Sequence, residues 1–185
     1  MKKAALAALG ALLLIALTAC GSGSGSSKDH KVTLSKDEKA AAANISKAFT
    51  AQTTGALSTK EGDCFAEHFV DSAGLTKLKA SKLLTDTGEV NASSSPTFDA
   101  DLAGKFADSF LGCVDYAKRQ AQDIAKSDTT VDADKLESCL RKEMPNSYIK
   151  KLIVASQTQS GEATKLGEDS NTKLTDCKLQ AAKKS

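Results

Sequence analysis

The cysteines are the side chains of this sequence whose type and spacing are best suited to chemistry. There are five of them, and the last four are separated along the chain by 49, 26 and 38 positions: Cys20, Cys64, Cys113, Cys139 and Cys177. Structural zinc sites and dithiol redox sites take their cysteines in close pairs, about two to four residues apart. Because this sequence has no such pair, the spacing favours disulfides over a metal or redox centre, and we predict no bound metal.

One histidine lies close to a cysteine on the same predicted helix. Cys64 and His68 are four positions apart, and Glu67 and Asp71 are near them in sequence. These four side chains could form half of a metal or acid–base cluster. Since zinc sites combine several cysteine and histidine ligands, the segment favours a different interpretation, in which Cys64 is bridged to another cysteine and His68 is its partly exposed neighbour. We therefore assign no catalytic residue.

The start of the chain has the pattern of an export signal. Lys2 and Lys3 provide positive charge, and residues 4–16 are apolar without a single charge. These 13 residues would extend about 20 Å as a helix, whereas a bilayer core is roughly 30 Å thick. The pattern thus predicts a cleaved signal peptide rather than a permanent transmembrane anchor.

The residues that follow resemble the lipobox of bacterial lipoproteins. Leu17 stands three places before Cys20, and the small residue Ala19 stands directly before it. The resemblance implies that the chain is cut between Ala19 and Cys20, that the Cys20 thiol carries a diacylglyceryl group, and that the freed amine of Cys20 can take an acyl chain as well. It also implies a lipid-anchored protein on the extracytoplasmic face of the bacterial cell membrane, with no cofactor besides these covalent lipids.

The sequence divides into three parts. Residues 1–19 form the predicted signal peptide, residues 20–34 a lipidated tether, and residues 35–185 a folded domain. Residues 21–27 are all glycine or serine, so the tether has little that could be buried. His30 falls in this tether, and we expect no catalytic role for it.

The charge balance excludes nucleic acid as an expected partner. The chain has 25 lysines and arginines against 23 aspartates and glutamates, and the two counts become equal once Lys2 and Lys3 leave with the signal. A surface that binds nucleic acid needs clustered positive charge.

Beyond the tether, local signals predict helices. Ser35 with Glu38, and Ser58 with Glu61, have the spacing of a capping box. Apolar residues then recur every three or four positions, and the pattern predicts a short third helix that ends near Gly88. No alternating strand pattern is present.

The longest apolar stripe predicts one helix of almost thirty residues. Its members are Phe98, Leu102, Phe106, Phe110, Cys113, Ala117, Ala121 and Ile124. Asp132 or Asp134 then opens another helix that Pro145 stops, and two more follow. All six phenylalanines lie between positions 49 and 110, so the second half needs the first to complete a core. We predict a single all-α domain of six or seven helices.

A weak symmetry of two halves accompanies these helices. In each half a cysteine-bearing helix is followed by a breaker, a short helix, a turn or loop, and a second cysteine-bearing helix. Of the three pairings that four cysteines allow, this arrangement selects Cys64 with Cys113 and Cys139 with Cys177. Residue identity between the halves is close to nil, so an old duplication and a chance likeness are equally open.

A second resemblance covers about fifteen residues. Residues 64–71, Cys-Phe-Ala-Glu-His-Phe-Val-Asp, together with Gly74 and Leu78, resemble cysteine-containing helices of small uncharacterised actinobacterial envelope lipoproteins. The resemblance implies a cell-envelope setting and no particular activity.

These observations predict a non-enzymatic binding or structural module of the cell envelope. Its expected partner is an unidentified envelope protein, lipid or wall component, and the sequence contains no nucleophile elbow, phosphate-binding glycine loop, dinucleotide fingerprint or H-E-x-x-H motif. Two alternatives stay open. A deep pocket with Glu67, His68 and a second carboxylate such as Asp71 would favour a hydrolase or transferase, and an apolar cavity above about 300 Å³ would favour a carrier of small apolar ligands.

Overall fold

Helices make up the architecture of this protein. The computed structural model describes residues 32–51 and 57–183, and within them it contains eight helices and no strand beyond two isolated β-bridges. The helices are α1 Lys36–Thr50, α2 Thr59–Ala73, α3 Leu75–Ala80, α4 Ala100–Cys113, α5 Tyr116–Ser127, α6 Ala133–Glu143, α7 Asn146–Gln157 and α8 Glu162–Gln180. The all-α prediction is confirmed, with eight helices in place of six or seven. Among these eight, none is both long enough and apolar enough to cross a bilayer.

The first two helices begin at the predicted capping boxes. The Ser35 hydroxyl accepts a hydrogen bond from the Glu38 backbone N–H at 3.4 Å, and the Glu38 carboxylate accepts one from the Ser35 N–H at 2.9 Å. Ser58 and Glu61 repeat this exchange at 3.3 and 2.9 Å. The first N–H groups of a helix have no partner inside it, so these reciprocal bonds fix where α1 and α2 start.

The single long helix predicted across residues 98–124 is wrong, because this region forms two helices. α4 ends at Cys113, and Val114 adopts an extended conformation with φ −119° and ψ 120°. Asp115 then caps α5 by accepting a hydrogen bond from the Lys118 N–H at 3.2 Å. Both helices bury one face in the same core, so the apolar residues keep helical spacing across the break. The spacing therefore does not show where α4 ends and α5 begins.

The third helix is shorter than predicted. It ends at Ala80 rather than near Gly88, and Lys82 takes a left-handed backbone conformation with φ 61° that cannot continue a helix. Leu83 and Leu84 are nevertheless buried in the loop that follows. Their apolar character reflects a buried loop and not a longer helix.

An aromatic cluster forms the centre of the core. Phe65 on α2 is fully buried, and its ring centre lies 5.0 Å from those of Phe49 and Phe106, 5.6 Å from that of Phe69 and 6.2 Å from that of Phe110. Three of these four pairs meet edge to face, an arrangement that the charge distribution of aromatic rings favours. The cluster holds α1, α2 and α4 together.

The four helices α5–α8 follow the same order as α1–α4. In each set the first helix packs on the second, and the second packs on the fourth. The cysteines lie on the second and fourth helices of each set, so the predicted two-half pattern is present in both helix order and packing. α7 also packs against α4, which joins the two sets into one domain.

The C-terminal end of the described chain returns to the loop before α6. Asp132, one of the two predicted caps, accepts a hydrogen bond from the Lys135 N–H at 3.1 Å. The Asp132 N–H donates to the Ala181 carbonyl at 2.9 Å, and the Lys183 N–H donates to the Thr130 carbonyl at 2.8 Å. These bonds fasten the end of α8 beside the start of α6.

Candidate functional site

Two sulfur atoms and an imidazole meet where α2 lies against the end of α4. Cys64 and His68 are one turn apart on α2, so they share a helix face, and Cys113 is the last residue of α4. Cys64 and Cys113 form a disulfide, with Cα atoms 5.7 Å apart. Both Sγ atoms and one ring nitrogen of His68 lie within 4.8 Å of one another. We call these three residues the sulfur–imidazole cluster.

The cluster lies at the border between core and solvent. Cys113 is 7% exposed, whereas Cys64 and His68 are half-buried. Phe65 and Phe69, the residues that follow each of these two on α2, are fully buried in the aromatic core. Because the core fixes the rotation of α2, His68 is positioned beside the bridge by packed helices and not by a loop.

A second disulfide joins α6 to α8. Cys139 and Cys177 have Cα atoms 5.5 Å apart, and Cys177 is fully buried. The Cys139 sulfur lies 3.8 Å from the side-chain oxygen of Gln180. Both disulfides are those selected by the sequence pattern. Within residues 32–51 and 57–183, the sulfur–imidazole cluster is the one group of three thiol, imidazole or carboxylate side chains close enough to hold a metal ion.

Of the two carboxylates considered for an enzyme, Glu67 lines a shallow depression of the described surface. Glu67 and Asp71 are both exposed on α2. Glu67 lies with Lys39 and Asp63 around a depression of about 100 Å³ between α1 and α2, and neither His68 nor Asp71 contributes to it. Small-molecule sites enclose roughly 300 to 1,000 Å³, so this depression favours neither the enzyme nor the carrier.

A polar cluster that the sequence analysis missed joins α7 to α8. The Tyr148 hydroxyl donates its one proton between two acceptors, the Asp169 carboxylate at 2.8 Å and the Leu166 carbonyl at 3.0 Å. Lys173 donates to Asp169 at 2.8 Å, with its Nζ 5.4 Å from the centre of the Tyr148 ring. Burial, and then the hydrogen bond to Asp169, raise the pKa of Tyr148. The hydrogen bonds from Lys173 and then Tyr148 lower the pKa of Asp169. The four-residue spacing of Asp169 and Lys173 signals an ion pair, but nothing local signals the tyrosine.

Two arginines form ion pairs that connect one helix to another. Arg119 on α5 lies 2.8 Å from the carboxylate of Glu61 on α2. Arg141 on α6 lies 2.6 Å from the carboxylate of Asp115, the residue that caps α5, and 2.7 Å from that of Glu137. Glu61 thus serves both the capping box of α2 and a contact between the two sets of helices.

The described residues include the start of the predicted folded domain but not the predicted lipid-attachment region. Ala19, Cys20 and His30 lie outside the described residues. Leu34, which the sequence placed at the end of the tether, is only 7% exposed, and Val32 also packs against the core. Comparisons with protein-family models, curated proteins and solved structures found no match to this chain.

Proposed function

We propose that this protein is a lipid-anchored lipoprotein of the bacterial cell envelope, with a helical domain that acts without catalysis as a binding or structural module. The anchor is placed at Cys20 after cleavage behind Ala19, and the domain stands on the extracytoplasmic face of the membrane. Its proposed partner is an envelope protein, a lipid or a wall component, and not nucleic acid.

The pairing of the cysteines carries this proposal. The two disulfides use the last four cysteines of the chain, so Cys20 has no cysteine of its own chain left to pair with. Structural disulfides are typical of exported proteins and rare in the cytosol. The odd cysteine falls at the lipobox, where a thioether bond to a lipid is the chemistry expected of it.

The position of Val32, the first described residue, supports a location close to the membrane, because it packs against the core. Eleven residues separate Cys20 from Val32, and a flexible linker of that length spans about 17 to 20 Å. An anchored domain would therefore work next to the bilayer. Two or three acyl chains would hold it there stably, since each buried methylene contributes about 0.8 kcal/mol.

The described surface favours a polar contact with the partner. Leu179 is the one large hydrophobic side chain that is strongly exposed in the described ranges, at 72%. A single exposed apolar side chain is ordinary and does not form an apolar patch. Charged and polar side chains would then make most of the contact with the partner, as in a protein interface with bridging water molecules or in binding to a wall polymer.

The anchor is tested by replacing Cys20 and by moving its thiol. We expect Cys20→Ser to abolish lipidation, so that the protein accumulates as an unprocessed precursor or leaves the detergent phase. The matched control is Cys20→Ser combined with Ser22→Cys, which keeps the number of thiols but breaks the lipobox spacing, and it should behave in the same way. Mass spectrometry of the N-terminal peptide measures both. A correctly cleaved Cys20→Ser protein that stays in the detergent phase would contradict the proposal.

The non-enzymatic role is tested by affinity capture from native membranes. We expect the lipidated protein to recover the same partner whether it carries the wild-type sequence or both Glu67→Gln and Asp71→Asn, since these exposed carboxylates would serve no reaction. A folded double variant that loses a chemical turnover shown by the wild type would support the hydrolase or transferase instead.

A further inference from the structure

The sulfur–imidazole cluster contains the donor atoms of a zinc site. Zinc in proteins takes thiolate sulfur and imidazole nitrogen, usually four ligands in a tetrahedron. Cys64, His68 and Cys113 offer two sulfurs and one nitrogen within 4.8 Å of one another. While the disulfide is closed neither sulfur is a thiolate, so the cluster has no affinity for the metal in that state.

The helices bring the three side chains close to the separations that a zinc site needs. Two sulfurs bound tetrahedrally at about 2.3 Å lie about 3.8 Å apart, and a ring nitrogen at about 2.0 Å lies roughly 3.6 Å from each. The Cα atoms of Cys64 and Cys113 are 5.7 Å apart. Each sulfur sits on a single methylene, so rotation about the Cα–Cβ bonds reaches the required separation without moving α2 or α4.

The electrostatic cost of an occupied site is small. Two thiolates balance the charge of Zn²⁺, and zinc takes His68 as the neutral imidazole, so the complex carries no net charge. This matters because Cys113 is buried beside the aromatic core, where an unbalanced charge would be costly. Cys64 and His68 are half-buried, which gives the ion and a fourth ligand access from solvent.

We propose that Cys64, His68 and Cys113 form a zinc site that exists only in the reduced protein. A dithiol reductant supplies two electrons and two protons to the Cys64–Cys113 disulfide; its own thiols become a disulfide and the protein gains two thiols. Zn²⁺ then displaces both thiol protons to solvent and binds the two sulfurs and one nitrogen of His68, with water as the fourth ligand. The disulfide and the metal are mutually exclusive cross-links between α2 and α4. This inference does not depend on the lipid anchor.

The other disulfide provides an internal comparison. Reduction of Cys139 and Cys177 yields two thiols as well, but the neighbouring polar group there is the carboxamide of Gln180, which is not among the usual zinc ligands. Among the described residues only the first pair has an imidazole beside it, so we expect one zinc per chain and not two.

The test uses the full chain carrying Cys20→Ser, purified in detergent, so that the Cys20 thiol does not contribute. The protein is reduced with a phosphine without oxygen and titrated with Zn²⁺ against a chromogenic chelator. Co²⁺ is the spectroscopic probe, because thiolate ligation gives a charge-transfer band and tetrahedral geometry gives visible bands. His68→Ala is compared with His30→Ala, which removes the other histidine of the chain. A variant with Cys139→Ser and Cys177→Ser removes the other two thiols, so that only the sulfur–imidazole cluster can supply thiolate ligands.

We expect one zinc per reduced chain and none in the oxidised chain. Loss of a group that merely orients a ligand weakens metal binding about 10- to 100-fold, so His68→Ala should weaken it by at least about 100-fold, while His30→Ala and the Cys139, Cys177 variant retain it. Equal affinity of His68→Ala and the wild type, or loss of the site with Cys139 and Cys177, would overturn the proposal. So would a reduced chain that binds no zinc, whether circular dichroism shows it helical or unfolded.

Discussion

Removing either disulfide should lower the free energy of unfolding by nearly the same amount. The two bridges close segments of 49 and 38 residues. On the chain-entropy model these lengths correspond to about 4.1 and 3.9 kcal/mol at 25 °C. The two values are close because length enters only through its logarithm. The closed segments do not overlap in sequence, so the contributions should add to about 8 kcal/mol, comparable with the 5 to 15 kcal/mol that stabilise a typical domain.

Urea unfolding and thermal unfolding, both followed by circular dichroism, measure these losses. Three full-length variants in the Cys20→Ser background are needed, with alanines at Cys64 and Cys113, at Cys139 and Cys177, and at all four positions. Each single loss should lower Tm by about 8 to 16 °C for a domain of this size, and the quadruple variant should be mostly unfolded or only marginally folded.

Packing adds only a small difference to this expectation. Each bridge joins a half-buried cysteine, Cys64 or Cys139, to a buried one, and Cys177 is fully buried where Cys113 is 7% exposed. Single losses that differ by more than about 1 kcal/mol, or that fail to add within about that margin, would refute the entropic reasoning. Non-reducing peptide mapping is the check on connectivity, and a main species linking Cys64 to Cys139 or Cys177 would show that the two-half interpretation is wrong.

Three further outcomes are expected. Phe65→Ala should cost about 3 to 5 kcal/mol in chemical denaturation, more than Phe98→Ala, because Phe65 is fully buried among four other rings; equal losses would contradict this centre of the core. In the oxidised protein, His68→Ala should change Tm only slightly and leave metal at background by elemental analysis, and about one zinc per oxidised wild-type chain would overturn that expectation. Asp169→Asn should destabilise the protein at pH 7, and the difference from the wild type should fade below about pH 4. The reason is that the hydrogen bond from Lys173 lowers the pKa of Asp169 in the folded protein beneath its ordinary value of 3.8. The ionised carboxylate therefore stabilises the fold above pH 3.8, and this stabilisation is lost as the pH falls through the folded pKa. A difference in urea midpoints that does not change with pH would exclude this cause.

Local signals in the sequence predicted the helical class and several helix starts. Both capping boxes lie within four residues, so the partners that fix α1 and α2 are neighbours along the chain whatever the rest of the protein does. The sequence also narrowed the cap of α6 to Asp132 or Asp134 for the same reason, and Asp132 is the cap. The candidate zinc ligands were recognised only in part, because Cys64 and His68 are adjacent on one helix while Cys113 joins them from another.

Helix ends that depend on packing were predicted less well. No local signal in the sequence indicates that α4 ends before Val114, because the apolar spacing continues on both sides of this residue. Leu34 and Leu83 are buried in segments that look like tether or helix from composition alone. In each case the core, assembled from distant elements, decides which backbone the apolar residue adopts.

The sequence by itself determined that this chain is helical, that its four downstream cysteines form two pairs in two successive halves, and that its start resembles a lipoprotein signal. These properties depend on spacing and on neighbours a few residues apart. Only the tertiary structure decided that a ring nitrogen of His68 comes within 4.8 Å of both sulfurs of the Cys64–Cys113 bridge and that Tyr148 reaches Asp169, 21 residues away. Contacts of this kind form only when loops close and when packed helices take a fixed rotation relative to each other. Packing in the whole core, chiefly in the aromatic cluster around Phe65, fixes that rotation, and no single segment does.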